Sequence, residues 1–245
     1  MVLHLIMPMG GKGSRFSEHG YDYPKPLIDI HGAPFFYWAT QSIRKYVSLK
    51  SLIFVVLQDH IDLFQIDKEI KKYFPEAKIH AIPQVLNGPV LTCMEGIKEV
   101  NDGDPILFND CDHMFSCKEF YDFCAKAQFD IVDGALLTFT SDEPKYSFLA
   151  YGLDGNIIRT VEKEVISNDA ICGAYYFRNV QIFKNAVEDY LRICNYQEYF
   201  ISGVYNVMTE CGKTIKGFKT DFHIPFGTPE EYEIAVLSES FVEYK

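Results

Sequence analysis

Apolar runs alternate with amphipathic stretches along the first half of the chain. Residues 2–8 are nearly all apolar and end at a glycine cluster, which predicts a buried strand. Residues 51–57 (SLIFVVL), 77–82 and 105–109 (PILFN) predict three more strands. Between them, residues 34–46, 61–74 and 88–100 predict helices, the second with apolar positions at helical spacing. Residues 116–127 predict another helix, with Ser116 as its N-cap. Strands alternating with helices at this spacing predict a mostly parallel sheet covered on both faces.

The pattern changes after about residue 130. Residues 131–140, 148–151, 157–162 and 171–178 are strand-like, and Asp154-Gly155-Asn156 is a turn signal. Helices are expected over residues 180–194 and 201–211. Thr228, Pro229 and Glu231 together form a helix start signal. No internal repeat or linker stands out. The expectation is one α/β domain over residues 1–245, with an antiparallel addition in its second half.

Composition narrows the function classes. With 23 basic and 34 acidic residues the net charge is −11, which disfavours nucleic acid and anionic membrane as partners. The seven cysteines include no CxxC pair, and free thiols in a reducing cytoplasm are the expected state. No run reaches the roughly 18 apolar residues of a membrane span.

Candidate chemistry gathers first in Met9-Gly10-Gly11-Lys12-Gly13-Ser14-Arg15, directly after the first strand. Its glycines permit positive φ, and successive backbone N–H groups in such a loop form an anion-binding nest. Lys12 and Arg15 add positive charge, and a guanidinium grips phosphate oxygens in pairs. The spacing is neither a P-loop nor a dinucleotide fingerprint, and a plain surface turn is the competing reading. In Tyr23-Pro24-Lys25-Pro26-Leu27, a lysine is held between two prolines that stiffen its backbone.

GGxGSR followed by PKP resembles the signature of nucleotidyltransferases that make sugar nucleotides and related activated compounds. Further similarities follow in order. Gln84 with Asn87-Gly88-Pro89 resembles the segment that reads the base, and Asn109-Asp110-Cys111-Asp112 the acidic motif that holds magnesium. Val161-Glu162-Lys163 and Ile171-Cys172-Gly173-Ala174-Tyr175-Tyr176-Phe177 resemble the elements lining the acceptor side. Gly227-Thr228-Pro229-Glu230 resembles the closing motif.

The resemblance implies a Rossmann-like, three-layer mixed sheet with an antiparallel acceptor-side extension. A nucleotide-binding half would span about residues 1–130 and an acceptor-binding half about 131–245. It also implies roles. Arg15, Lys25 and Lys163 would be catalytic. Met9, Gly10, Gly11, Lys12, Gly13, Ser14, Gln84 and Gly88 would bind the nucleotide. Glu162, Gly173 and Lys145 would bind the acceptor, and Asp112 and Asp110 would hold Mg2+. One departure stands out. Where many members carry a metal-binding Asp before the closing motif, this chain has Pro225, so either the Asp110/Asp112 cluster holds magnesium with the nucleotide, or Asp221 or His223 takes part.

The expected reaction moves a nucleoside monophosphate from an NTP to a sugar 1-phosphate or another small phosphorylated metabolite, releasing pyrophosphate. CTP, UTP and dTTP are favoured over GTP, and surface polysaccharide or capsule synthesis is the expected setting. The rivals are a degenerate nucleotide-binding regulatory domain and a metal-dependent glycosyltransferase. His31, His60, His80 and His113 show no metal-ligand spacing, and structural or surface roles are expected for them.

Overall fold

The computed structural model describes residues 3–126 and 132–244. The expected element ends at residues 2, 127 and 131, and the change of pattern near residue 130, lie outside the described residues. The strands in chain order are β1 (Leu3–Met9), β2 (Asp29–Ile30), β3 (Ala33–Pro34), β4 (Leu49–Leu57), β5 (Lys78–Ile82), β6 (Ile106–Asn109), β7 (His113–Ser116), β8 (Gly134–Thr140), β9 (Ser147–Tyr151), β10 (Ile157–Glu162), β11 (Asp169–Phe177), β12 (Ile215–Lys219) and β13 (Phe222–Pro225). The helices are α1 (Ser14–Glu18), α2 (Phe35–Arg44), α3 (Gln58–Phe64), α4 (Ile66–Tyr73), α5 (Pro89–Gly96), α6 (Lys118–Ala125), α7 (Val180–Ile193), α8 (Ile201–Glu210), α9 (Pro229–Val236) and α10 (Ser240–Tyr244).

The main sheet runs β10-β9-β11-β6-β1-β4-β5, with β8 joined to β11 and β12 to β8. β6, β1, β4 and β5 are mutually parallel, whereas β11 runs antiparallel to β6, β8 and β9. This is the expected mixed α/β sheet with an antiparallel extension. The apolar runs are continuous because both faces are covered. In β1 and β4, Leu5, Met7, Phe54 and Val56 face one core with Phe36 and Ile43 of α2 and Phe120 of α6. Ile6, Ile53 and Val55 face the other, with Val90 of α5, Phe183 of α7 and Val204 of α8. A third cluster packs Phe226, Ala235 and Phe241 against Phe16, Phe35 and Trp38, so the last helices close over the first loops.

Three expectations need correction. The helix expected over 61–74 is two helices, broken at Gln65, whose φ is +53°. Phe64 and Ile66 are two residues apart and cannot share one helical face, so the break resets the phase and buries Ile66 and Ile70. Ser116 is not an N-cap; it ends β7, and its hydroxyl meets Asp221. Helix α6 starts at Lys118, and Asp221 accepts its backbone N–H at 2.8 Å, a cap supplied from 103 residues away. Finally, β7 and β13 form an antiparallel ribbon with Pro225 opposite His113, in segments that show no clear strand pattern. The expected capping box at Thr228 and Glu231 is present. Among the described residues, no helix is long and apolar enough to cross a membrane.

Candidate active site

The C-terminal ends of β1 and β6 open into a cleft of about 410 Å³. This is the end of a parallel sheet at which α/β folds place ligands. The glycine loop follows β1. Gly13 sits at φ +65°, and a Cβ there would come within 2.8 Å of the Lys25 Cβ, so the two motifs interlock. Pro24 and Pro26 are buried, which fixes Lys25 in a 3-10 turn over the cleft. Its ammonium lies 2.7 Å from Asp112.

Asp110 and Asp112 follow β6 directly, and each is given room by a glycine. Strand β11 bulges between Ile171 and Tyr175, where Gly173 adopts φ +89° and accepts the Asp110 N–H at 2.9 Å. A Cβ at Gly173 would lie 2.7 Å from an Asp110 carboxylate oxygen, and one at Gly227 would lie 2.6 Å from Asp112. Glycines in two motifs distant in sequence therefore admit the same carboxylate pair.

The electrostatics of the pair are uneven. Burial pushes the Asp110 carboxyl up to about 7, and the charge of Asp112 adds to the effect. Burial is also the largest single influence on Asp112 and opposes its charge, but the charge and hydrogen bond of Lys25, with smaller help from His113 and the backbone, hold this carboxyl below its usual range. Burial disfavours the Lys25 charge too, yet Asp112 holds its pKa above the ordinary value. Three carboxylates, Asp110, Asp112 and Glu162, thus line the cleft together, and of these Asp112 is paired with the Lys25 ammonium. Crowded oxygen donors short of positive charge suit a hard divalent cation such as Mg2+.

The far wall comes from the second half. Glu162 accepts hydrogen bonds from the hydroxyls of Ser147 and Ser202, the latter at 2.9 Å. Glu231 accepts the N–H groups of Gly227 and Thr228 at 2.9 and 3.1 Å, pairs with Lys145 at 2.9 Å, and accepts the Tyr146 hydroxyl. One buried carboxylate therefore ties the closing turn to the segment just before β9. The sequence marked Glu231 only as a helix signal.

Gly13, Ser14, Arg15, Lys25, Asp110, Asp112, Lys145, Glu162 and Gly173 all line the cleft. Met9, Gly10, Gly11 and Lys12 do not line it; Met9 ends β1, and Gly11 and Lys12 are exposed in the segment that follows. Lys163 and Gln84 are exposed and do not line the cleft. Lys163 has φ +57°, and its ammonium stands 4.9 Å above the ring of Phe200, which does line it. Gly88, at φ +92°, is required by the Tyr199 backbone, which a Cβ would meet at 2.4 Å. Of the two replacements considered for the missing Asp, Asp221 caps α6 outside the cleft, whereas His223 lines it beside His113 and Cys172. Burial lowers the pKa of His113 to about 4, only partly offset by Asp112 and the backbone of Cys172 and Asp110. Burial also holds His223 well below its usual value. The sequence marks His223 as a candidate but does not group the three, because 113, 172 and 223 share no local spacing.

No curated protein matches the sequence. Solved structures do resemble the fold. A nucleoside-diphosphate-sugar pyrophosphorylase from Vibrio cholerae RC9 has a TM-score of 0.81 at 22% identity, covering 96% of this chain and 100% of that one. The inositol-1-phosphate CTP transferase from T. maritima has a TM-score of 0.73 at 14% identity, covering 100% and 94%. A UDP-glucose pyrophosphorylase complexed with UDP-glucose has a TM-score of 0.77 at 17% identity, covering 100% of both chains. The model of the nucleotidyl transferase family matches residues 4–232, nearly the whole sequence, and the chain belongs to that family.

Proposed function

We propose that the chain transfers a nucleoside monophosphate from an NTP, with CTP, UTP or dTTP favoured over GTP, to a sugar 1-phosphate or another small phosphorylated metabolite. The observation that carries the reading is the Asp110/Asp112 pair, joined to Lys25 and facing the glycine loop across one cleft. An acceptor phosphate oxygen attacks the α-phosphorus, the bond from that phosphorus to the β-phosphate bridging oxygen breaks, and pyrophosphate leaves. Such transfers need alignment and charge neutralisation more than covalent help.

On this reading the loop from Gly10 to Gly13, with Met9 behind it, offers backbone N–H groups to the triphosphate. Lys12, Ser14 and Arg15 hold its outer oxygens. Lys25 sets Asp112 and offsets negative charge at the reacting phosphorus. Asp112 and Asp110 hold Mg2+, which neutralises phosphate charge when bound. Gln84 and the Gly88 main chain border the base. Glu162, Gly173 and Lys145 border the acceptor, and Lys163 swings from Phe200 to its phosphate. Residues 1–130 serve the nucleotide and 131–245 the acceptor within one domain, and capsule or other surface polysaccharide synthesis is the setting.

A pyrophosphate-release screen tests this by crossing four NTPs with sugar phosphates and phosphorylated amines. Release with one NTP and one acceptor class supports the reading. NTP binding without release from any pair would favour a regulatory domain, the reading that Pro225 keeps open.

A further inference from the structure

Beside the carboxylate pair lies a different donor set. The ligand atoms of His113, Cys172 and His223 fall within 4.8 Å of one another. They come from three strands, β7, β11 and β13. His113 and His223 are diagonal neighbours across the β7–β13 ribbon, since Pro225 opposes His113 and His223 opposes Phe115. Cys172 enters from the bulge of β11.

The hydrogen bonding of this cluster is incomplete. Among the described residues neither ring nitrogen of His223 has a hydrogen-bond partner, although both are buried, and the ring lies 4.0 Å from that of Phe139, tilted by 33°. His113 is 2% exposed and its Nδ1 also lacks a partner. Its Nε2 faces Asn109 Oδ1 at 3.1 Å, while Asn109 Nδ2 donates to the Ala39 carbonyl at 3.0 Å. Asn109 therefore presents an acceptor to Nε2, and Nδ1 is the ring nitrogen without a hydrogen bond. A carbonyl oxygen fixing the far nitrogen is how proteins orient a metal-binding imidazole. Ordinary core histidines satisfy their nitrogens, because each buried polar atom left unpaired is costly.

We propose that His113, Cys172 and His223 bind a thiophilic divalent transition-metal ion of the zinc class, separate from the carboxylate pair. Two imidazoles and a thiolate suit such an ion, whereas magnesium prefers oxygen. Bonds of about 2.0–2.3 Å place tetrahedral donors about 3.3–3.8 Å apart, so the three atoms close in by about 1 Å. All three residues line the cleft. The ion pins the β7–β13 ribbon to the main sheet. This inference does not rest on nucleotidyl transfer and is read without activity.

Cobalt(II) titration of the reduced, metal-stripped protein tests it. One ion per chain is expected, with a thiolate-to-cobalt charge-transfer band that Cys172→Ser and His223→Gln abolish and that excess magnesium leaves unchanged. Absence of the band from the unsubstituted protein overturns the proposal. Persistence in Cys172→Ser overturns it too, since another thiol such as exposed Cys211 would then be the ligand. Loss of the band on adding magnesium would place the ion on the carboxylates and equally overturn it. Circular dichroism establishes that each variant is folded, and the titration of the unsubstituted protein decides the matter if a variant is not.

Discussion

Single residues in and beside this cleft are held in backbone conformations that glycine adopts more easily than other residues. Lys163 is the clearest case, since a non-glycine residue at φ +57° carries strain of about 1 kcal/mol. Lys163→Gly relieves that strain and Lys163→Ala does not, so thermal melts should place the glycine variant above the alanine variant. Both variants should show lower turnover and a higher acceptor KM if the ammonium reaches the acceptor. Unchanged kinetics in both would remove Lys163 from the site. Asp112 tests the opposite wall. Asp112→Asn keeps the shape but removes the charge, and turnover should fall by about 100-fold or more, with the fold retained but the melting temperature lowered because the Lys25 ammonium loses its partner. Gly227→Ala should act on the same carboxylate from behind, because its Cβ would lie 2.6 Å from an Asp112 oxygen. Its turnover should fall while NTP binding, measured by calorimetry, changes less.

At the scale of elements, Asp221 shows how far a helix cap can lie from its helix in sequence. Asp221→Ala removes the acceptor for the first N–H of α6 and should cost about 1 kcal/mol in a denaturant melt. Turnover should be unaffected, and a large loss at unchanged stability would return Asp221 to the metal site. The same helix shows what was legible in advance. Its apolar face, the parallel strands and the Thr228 capping box follow local rules, and all were readable from the chain. The ribbon of β7 and β13 was not. His113-Met114-Phe115-Ser116 is too short to show a period, and it becomes a strand only because Phe222–Pro225 pairs with it. The break at Gln65 was hidden because Ile66 and Ile70 continue a helical pattern in a shifted phase. Of the candidate site, the glycine loop and the aspartates stand in contiguous motifs. The partners of those aspartates, Gly173 and Gly227, are brought up by sheet pairing, which leaves no mark on neighbouring residues.

Across the whole molecule, β11 binds the two halves into one sheet. Its residues 174–177 pair with β6, and its opposite edge pairs with β8. Pulling the halves apart would break the bulge that cradles Asp110, so unfolding should be a single event. Trp38 is the only tryptophan, is buried in the first half, and donates its indole N–H to the Ile30 carbonyl at 2.8 Å. Its fluorescence and the far-ultraviolet circular dichroism should follow coincident guanidinium transitions. Two separate transitions would show that residues 1–130 and 131–245 are independent domains.

The turn at Gly227 and Glu231, which closes over Asp112, has a consequence for biosynthesis. Asp112 leaves the ribosome 119 residues before Glu231, an interval on the order of 6–24 s at ordinary rates of translation. Throughout it the glycine loop and both aspartates exist without the wall that completes their cleft. A nascent or stalled chain should therefore be inert and not a partial enzyme that wastes NTP. A chain truncated after Lys219 should show no thermal stabilisation by NTP, whereas the full chain should.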